Sequence, residues 1–412
     1  MPGLARPRPP IAEFNAAGVP RQGARVRGPA GGRFAMSLIS YLTKIHFADD
    51  IVDMALGTEL TGHGVRRVFI VTDPGIAAAG LLERNSAAIP PGIDITIYDR
   101  TPENPTEDAC SEAAALYKEH GCDGIVGLGG GSSLDLAKVV GLVATHDGPL
   151  ANYTAVEGGI TRIRDIIPPV IAIPTTAGTG SEVGRAGLIV LRDGRKLAVV
   201  SPYLIPKVAI CDPQMTLGLP PLLTAATGMD ALTHCVETYI ATAYNPPADG
   251  IALDGLRRAA GNIERAVENG ADIDARREMM AAVTEGAMAF QKGLGGVHAM
   301  SHALGGLDGY RLHHGTLNAV LLPHVLEFNR PAVGHRYADL KAAMNLTNGA
   351  DLGEHILRLN ERLGLPNGLA AMGVDAPGID KAAPLAERDH TNSTNPRRAT
   401  ASDYREIMTT AL

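Results

Sequence analysis

A glycine-rich turn between a hydrophobic strand and a helix constrains the fold of this chain most strongly. Residues 124–128 have the apolar composition of a buried strand, and residues 132–145 have helical periodicity. Glycines between them let the backbone approach a ligand closely, and the N–H groups that begin the helix favour negative charge. The turn is not a G-x-G-x-x-G fingerprint, because a serine stands where the last glycine would be, and no Gly-Lys-Ser/Thr follows as in a P-loop. We interpret it as a phosphate cradle that includes Gly129, Gly130, Gly131, Ser132 and Asp135.

Strand and helix signals alternate through the first half of the chain. Further hydrophobic runs at residues 65–73, 94–98 and 169–174 have the pattern of buried strands, and residues 106–120 have helical periodicity. This alternation is typical of a parallel sheet with helices on its faces. It predicts an α/β dinucleotide-binding domain with a Rossmann-like parallel sheet.

The pattern changes near residues 213–221, where we place a domain boundary. From Leu222 onward the chain is a succession of alanine- and leucine-rich helical stretches with almost no strand signal. A chain of 412 residues is long enough for two domains of ordinary size. We therefore assign residues 36–220 to the α/β dinucleotide-binding domain and residues 221–412 to an all-helical domain.

Residues 1–35 differ in composition from the rest of the chain. They contain six Arg, six Pro and a single acidic residue, Glu13, without the apolar run of a secretory signal. We interpret them as a disordered leader or as the product of a misassigned start codon, with Met36 as the true first residue.

Charge and composition exclude several classes of protein. The net charge of −7 does not fit a nucleic-acid-binding surface, and no run approaches the roughly 18 apolar residues of a membrane span. The four cysteines are far apart and form no C-x-x-C pair, which is typical of a reducing compartment. We expect a cytoplasmic protein that binds neither nucleic acid nor membrane.

A second turn rich in glycine and threonine, residues 175–182, follows the strand at residues 169–174. Each turn alone could be a tight turn with a Ser or Thr helix cap, but two at the carboxyl ends of neighbouring strands favour a bound nucleotide. The candidate contacts here are Thr175, Thr176 and Thr179. Asp73, at the end of the first strand, could accept hydrogen bonds from the ribose hydroxyls and repel a 2′-phosphate, or could simply form a turn before Pro74.

Histidine and aspartate recur at helical spacing in the second half of the chain. Residues four apart share one helix face, and the pairs are Asp230 with His234 and His298 with His302, followed by the doublet His313–His314. Imidazole and carboxylate ligands suit Fe²⁺, Zn²⁺, Co²⁺ or Ni²⁺ rather than Mg²⁺. A single histidine is more often a packed or surface residue, which is our interpretation of His324, His335 and His355.

These motifs together resemble the iron-containing (group III) alcohol dehydrogenases. The resemblance runs from about residue 40 to the end, through residues 129–138, 174–182, 228–234 and 321–325 and the pair Asp212-Pro213. It implies a dehydroquinate synthase-like fold in which an α/β dinucleotide-binding domain and a helical metal-binding domain enclose a cleft. It also implies a homodimer or a higher homo-oligomer.

The resemblance assigns roles to individual residues. By position, it implies that Fe²⁺, or alternatively Zn²⁺, is held by Asp230, His234, His298 and His314. His302 resembles a catalytic histidine that lies near the nicotinamide without binding the metal. Asp73 resembles the residue that selects NAD over NADP, and Asn104 and Lys196 resemble further cofactor contacts.

The chain departs from the family pattern between His302 and His314. Ala303 stands where the family usually has proline, and the loop is about two residues longer. Because this loop borders the substrate, the departures bear on which alcohol is used. The histidine doublet leaves His313 and His314 as alternative ligands, and the ungapped match to the Gly-Thr-Leu-Asn-Ala that follows favours His314.

The resemblance implies that the metal acts as a Lewis acid while a hydride passes between NAD and a small primary alcohol or aldehyde. A diol or an ω-hydroxy acid is a further candidate substrate. The rivals are a maleylacetate reductase-like enzyme, a dehydroquinate synthase-like lyase that regenerates NAD within each cycle, and a non-catalytic nucleotide- or metal-binding protein. Intact turns and an intact apparent ligand set argue against the last.

Overall fold

A computed structural model of the chain describes residues 43–307 and 309–412, together with the backbone of two short strands before them. These strands, β1 (Arg25–Arg27) and β2 (Arg33–Ala35), pair in antiparallel fashion. The remainder of the predicted leader, and Met36, lie outside the described residues.

Six parallel strands form the sheet of the first half. In chain order they are β3 (Lys44–Phe47), β4 (Arg67–Val71), β5 (Asp94–Tyr98), β6 (Gly124–Gly129), β7 (Val170–Pro174) and β10 (Val208–Cys211). Their order across the sheet is β3-β10-β7-β6-β4-β5. The chain therefore changes direction between β4 and β6, and ligands of open α/β sheets bind at such a switch point, beyond the carboxyl ends of the strands. Asp73 follows β4, and the first glycine turn follows β6.

Helices cover both faces of this sheet. They are α1 (Ile51–Gly62), α2 (Pro74–Ala78), α3 (Leu81–Ala87), α4 (Glu107–Glu119) and α5 (Gly131–Thr145). Alternate side chains of β4 point to opposite faces. Phe69 and Val71 pack in one hydrophobic cluster with α4 and α5, and Val68 and Ile70 pack in another with α1. An antiparallel hairpin, β8 (Ala186–Val190) and β9 (Lys196–Val200), also packs against α5.

The second half is helical, and the described residues after Cys211 contain no strand. Its helices are α6 (Pro221–Ile240), α7 (Pro246–Glu268), α8 (Ile273–Ala289), α9 (Gly296–Gly305), α10 (His314–Val333), α11 (Arg336–Ala343), α12 (Leu352–Arg362), α13 (Ala376–Arg388) and α14 (Ala401–Thr410). The predicted fold class, a parallel α/β sheet followed by a helical region, is confirmed. Across the segments that the structure describes, no helix is long and apolar enough to cross a membrane.

Helix α6 lies at the centre of the helical region. Every residue from Thr224 to Ile240 is buried, and α7, α8 and α10 pack around the helix. A helix that is buried on all sides offers a dry environment to any polar side chain it carries. Asp230 and His234 are such side chains, so both must find partners inside the core.

Candidate metal centre and dinucleotide cleft

The four predicted metal ligands come from three helices that meet in the core. Asp230 and His234 occupy successive turns of α6, His298 lies in the first turn of α9, and His314 is the first residue of α10. Asp230, His234 and His298 are at most 5% exposed. The packing of these helices therefore brings the Asp230–His234 pair and the His298–His302 pair together.

Three imidazole nitrogens converge on a single carboxylate oxygen. The Nε2 atoms of His234 and His314 each lie 3.7 Å from Asp230 Oδ1, and His298 Nε2 lies 3.8 Å from it. The ligand atoms of Asp230, His298 and His314 lie within 4.8 Å of one another. Asp230, His298 and His314 are therefore grouped closely enough to hold one small cation, and His234 approaches this group through Asp230.

The amide of Asn318, one turn beyond His314 on α10, lies among these ligands. Its Nδ2 donates to Asp230 Oδ1 over 2.7 Å, and is 3.3 Å from His298 Nε2 and 3.2 Å from His314 Nε2. An electropositive N–H thus faces the same atoms that a cation would face. The Asn318 Oδ1 atom is buried without a hydrogen-bond partner among the described residues.

The charges of the cluster favour a bound dication. Burial raises the pKa of Asp230, which disfavours an isolated carboxylate there. Burial also lowers the pKa values of His298 and His314 well below the ordinary value, and neighbouring imidazoles lower them further. Neutral imidazoles are the metal-binding form, and a cation would offset the buried carboxylate. One carboxylate and three imidazoles fit Fe²⁺ or Zn²⁺, so these residues fit the metal that the resemblance implies.

Glu237 supports His298 from the side opposite the cluster. Its Oε2 lies 2.7 Å from His298 Nδ1, and the carboxylate accepts backbone N–H bonds from Gly295 at 3.1 Å and Val297 at 2.7 Å. Glu237 therefore caps the N-terminus of α9, which has no cap of its own, and orients the ring of His298. Burial raises the pKa of Glu237 to about 7, although these backbone N–H groups act to lower it.

His302 lies beside the cluster but makes a different contact. Its ring is stacked on His314, with the centroids 5.5 Å apart, while its Nδ1 lies 3.1 Å from Asp389 Oδ2. Burial raises the pKa of Asp389, but His302, His390 and Thr391 together lower it well below its usual range. His302 is thus bonded to Asp389 and lies outside the group formed by Asp230, His298 and His314, and its exclusion from the metal ligands stays a prediction.

The two members of the histidine doublet have different surroundings. His314 Nε2 faces Asp230, whereas His313 is the N-cap of α10 and its Nδ1 accepts from the Thr316 backbone N–H over 3.4 Å. The structure thus brings His314, rather than His313, to the cluster. In the segment before the doublet, the hydroxyl of Tyr310 donates to Asp375 Oδ1 over 2.5 Å.

The two glycine turns face each other at the carboxyl edge of the sheet. The start of α5 has no side-chain cap, which leaves its backbone N–H groups available to an anion. Gly129 has a φ of +145°, and a Cβ at Gly131 would lie 2.6 Å from Thr179 Cγ2. Thr176 faces Gly130 in the same way. Both turns therefore depend on glycine for their close approach.

Other predicted cofactor contacts surround these turns. Asp73 caps α2 through Oδ1 and accepts from Ser133 Oγ through Oδ2, at 3.0 Å. Asp135 joins the turns, because it accepts from Ser181 Oγ over 2.5 Å. The Oγ1 of Thr175 is buried without a partner in the described part of the chain. Ser132 Oγ donates to the Glu103 carbonyl.

Asn104 and Lys196, the first residue of β9, are the remaining predicted cofactor contacts. Lys196 Nζ donates to Asn104 Oδ1 over 2.8 Å, and a Cβ at Gly306, just beyond α9, would lie 3.7 Å from the Lys196 Cβ. The positive charge of Lys196 also contributes to the lowered pKa of His314. Lys196 is thus close both to the end of α9 and to the cluster around Asp230.

The sequence interpretation missed four residues of this site. Glu237 is seven positions after Asp230 and Asn318 is four after His314, so helical spacing could have revealed both. Asp389 and His390 lie far along the chain from every predicted ligand, and no local pattern marks them.

Comparison with known proteins gives the chain its family. The model of the iron-containing alcohol dehydrogenases matches residues 43–213, and that of the Fe-containing alcohol dehydrogenase family, C-terminal region, matches residues 224–412. The 4-hydroxybutyrate dehydrogenase of Cupriavidus necator is 53% identical over 380 residues, which cover 90% of this chain and 99% of that protein. The NAD-dependent methanol dehydrogenase of Bacillus methanolicus is 37% identical over 370 residues, which cover 87% of this chain and 95% of that protein.

A solved structure agrees with these matches. The crystal structure of a 1,3-propanediol oxidoreductase superposes with a TM-score of 0.84 at 35% identity, and covers 92% of this chain and 100% of that one. The resemblance identified from the motifs is confirmed, and so is the alcohol dehydrogenase class of enzyme that it implied. The chain belongs to the iron-containing alcohol dehydrogenase family.

Proposed function

We propose that this chain catalyses reversible hydride transfer between NAD and a short ω-hydroxy acid, with 4-hydroxybutyrate as the first candidate. The observation that carries the chemistry is the convergence of three imidazole Nε2 atoms on Asp230 Oδ1 at the end of a nucleotide-type cleft. The choice of substrate is supported by the 53% identity to a 4-hydroxybutyrate dehydrogenase over nearly the whole chain. NAD is supported by the name of the Bacillus relative.

The proposed metal ligands are Asp230, His234, His298 and His314, with Fe²⁺ as the first candidate and Zn²⁺ as the second. When bound, the metal supplies Lewis acidity toward the alcohol oxygen and NAD supplies the hydride acceptor. Glu237 keeps a proton on His298 Nδ1 and so presents Nε2 to the metal. The buried core around α6 excludes water from these groups.

His302 is proposed to move the proton of the alcohol. The carboxylate of Asp389 accepts from Nδ1, which leaves Nε2 of His302 as a base. The His302 ring lies against both His298 and His314, with centroid separations of 5.8 and 5.5 Å, so a hydroxyl group at the metal centre would be close to it. His302 therefore acts as a general base in oxidation and as a general acid in reduction.

The cofactor contacts remain as proposed from the sequence. The pyrophosphate would lie at the start of α5 between the two glycine turns, and Asp73 would accept from the ribose hydroxyls through its Oδ2 side. We also propose that Lys196 and Asn104 contact the nicotinamide end of the cofactor, which is supported by their mutual hydrogen bond and by the nearness of the Lys196 charge to His313.

Two finer expectations belong to the same proposal. The family supports a homodimer or a higher oligomer, and we propose a dimer. The four cysteines are buried and unpaired, which supports a reducing compartment, and we propose the cytoplasm.

The proposal is tested by NADH release from metal-reconstituted enzyme. The substrates are 4-hydroxybutyrate, 1,4-butanediol, 1-butanol, methanol and 1,3-propanediol, each with Fe²⁺ and with Zn²⁺. The highest kcat/KM is expected for 4-hydroxybutyrate, with one NADH per molecule oxidised. Preference for a neutral alcohol would reject the hydroxy acid, and turnover without net NADH would favour a lyase of the dehydroquinate synthase type. Succinic semialdehyde is the aldehyde formed from 4-hydroxybutyrate. A higher kcat/KM for the reduction of maleylacetate than for the reduction of succinic semialdehyde would favour a maleylacetate reductase-like enzyme.

A further inference from the structure

Three imidazole rings form a row that leads away from the metal centre. The rings of His314 and His302 are stacked with an interplanar angle of 12°, and those of His302 and His390 with an angle of 13°. The centroids of His302 and His390 are 6.0 Å apart. The row starts at the proposed metal ligand His314 and ends at His390, whose Nδ1 lies 3.4 Å from Asp389 Oδ1.

Arg185 adds a positive charge to the surroundings of this row. It follows the second glycine turn, and its positive charge contributes to a lowered pKa of His390, although burial is the larger cause. A Cβ at the adjacent Gly184 would lie 3.6 Å from the Phe290 ring, which in turn packs on His234 with a centroid separation of 5.1 Å. Arg185 therefore directly follows a segment that packs, through Phe290, against the proposed metal ligand His234.

The guanidinium of Arg185 has no partner within residues 43–307 and 309–412. No acceptor there receives a hydrogen bond from it, and desolvation alone lowers its pKa. Arg276, another buried arginine whose pKa burial lowers, donates to Thr224 Oγ1 and to the carbonyls of Gly270 and Leu219. A partly buried arginine that stays charged without an anion is costly, so Arg185 is suited to a ligand that brings one.

The carboxylates of Asp389 and Asp135 are already engaged. Asp389 is paired with His302 and accepts from the N–H and hydroxyl of Thr391. Asp135 is bonded to Ser181 and to the Leu188 backbone N–H. Neither carboxylate is within ion-pairing distance of Arg185.

We propose that Arg185 binds the carboxylate of the substrate, with His390 as the neighbouring wall, while the hydroxyl group lies at the metal centre beside His302. This inference rests on the proposed function and assigns the residue that would select a hydroxy acid over a neutral alcohol. An extended four-carbon hydroxy acid spans about 6 Å between its hydroxyl and carboxyl oxygens at bond lengths near 1.5 Å.

The test is the ratio of kcat/KM for 4-hydroxybutyrate to kcat/KM for 1,4-butanediol, which has the same length and no charge. Arg185→Met should lower this ratio by about 10–100-fold, the range expected for a charge-assisted hydrogen bond. Arg185→Lys keeps the charge without the planar fork and should lower it by less. The control is Arg358→Met, which removes an equally charged side chain on α12 that pairs with Glu354, and should not change the ratio.

A binding experiment separates the carboxylate from the other anion in the cleft, the cofactor phosphate. Calorimetry on the metal-loaded enzyme with NADH should show weaker 4-hydroxybutyrate binding in Arg185→Met, and similar NADH binding in variant and parent. A weakened NADH affinity would assign Arg185 to the phosphate and overturn the inference, as would an unchanged substrate ratio. Arginine-dependent binding of 4-hydroxybutyrate without its turnover would retain the subsite and reject only the proposed substrate.

Discussion

The proposed metal centre and the proposed dinucleotide cleft adjoin each other but are built in opposite ways. The metal centre consists of side chains from three buried helices, and several of its atoms have two or more partners within the cluster. The cleft consists mainly of backbone at two glycine turns, where the absence of side chains creates the space. We therefore expect metal binding to be lost when a side chain is removed from the first region, and NADH binding to weaken when a side chain is added to the second.

The largest expected effect follows from removing a proposed metal ligand. His298→Ala should abolish metal binding and turnover, because it removes one of three imidazoles around Asp230 and leaves the buried carboxylate less compensated. The measurement is metal content by elemental analysis together with NADH release. His335→Ala, which changes an exposed histidine, should retain both. Full activity of metal-free protein would contradict the account of this region.

The next largest effect should follow from changing Glu237, whose carboxylate contacts Nδ1 of His298. Glu237→Gln keeps the size of the side chain but removes its charge, so metal affinity should fall by about 10–100-fold, as for other outer partners of metal-binding histidines. Competition with a chelator of known affinity measures the change. Glu237→Ala should show a larger loss and a lower Tm, because the cap of α9 is lost as well. Equal metal affinity in Glu237→Gln and the parent would remove Glu237 from the metal centre.

The cleft should respond to an added methyl group. Gly131→Ala places a Cβ about where Thr179 lies, so the Kd for NADH should rise by roughly 10-fold while the bound metal is retained. Fluorescence titration with NADH measures the effect. Gly261→Ala, at a helical glycine whose Cβ would meet nothing within 4 Å, is the matched control. Loss of metal in Gly131→Ala would show that the two regions are not separable.

The smallest expected effect is a change in cofactor preference. Asp73→Gly removes a carboxylate that would repel a 2′-phosphate, so the NADP-to-NAD ratio of kcat/KM should rise several-fold. The substitution also removes the cap of α2, and Asp351→Gly, which removes the cap of α12, controls for that loss of stability. An unchanged cofactor ratio would leave Asp73 with only its capping role.

The sequence predicted the regular parts of the fold well. The strand predicted at residues 94–98 is β5 as observed, and the helix predicted at residues 106–120 is α4 within one residue at each end. The interpretation missed β3 and β10, because each has only four residues, and β3 contains Lys44 and His46. It also missed the β8–β9 hairpin, whose connection is polar and whose strands are only partly buried.

The parts of the site that could be predicted from the sequence are those marked by spacing within one segment of the chain. Asp230 with His234 is a helical pair, and the two glycine turns are continuous motifs. The contacts that complete the site join distant segments: Glu237 reaches Gly295, 58 positions away, and His302 reaches Asp389, 87 positions away. Such pairings arise from the packing of helices against each other, and periodicity within one helix does not encode them.

The central claim is that Asp230, His234, His298 and His314 hold one metal ion. X-ray absorption at the metal edge of zinc-loaded enzyme tests it most directly. The account predicts one ion per chain with three imidazole nitrogens and one carboxylate oxygen at about 2.0–2.2 Å, and the loss of this signature in His298→Ala. Sulfur scattering, or the same imidazole count in His298→Ala as in the parent, would contradict it.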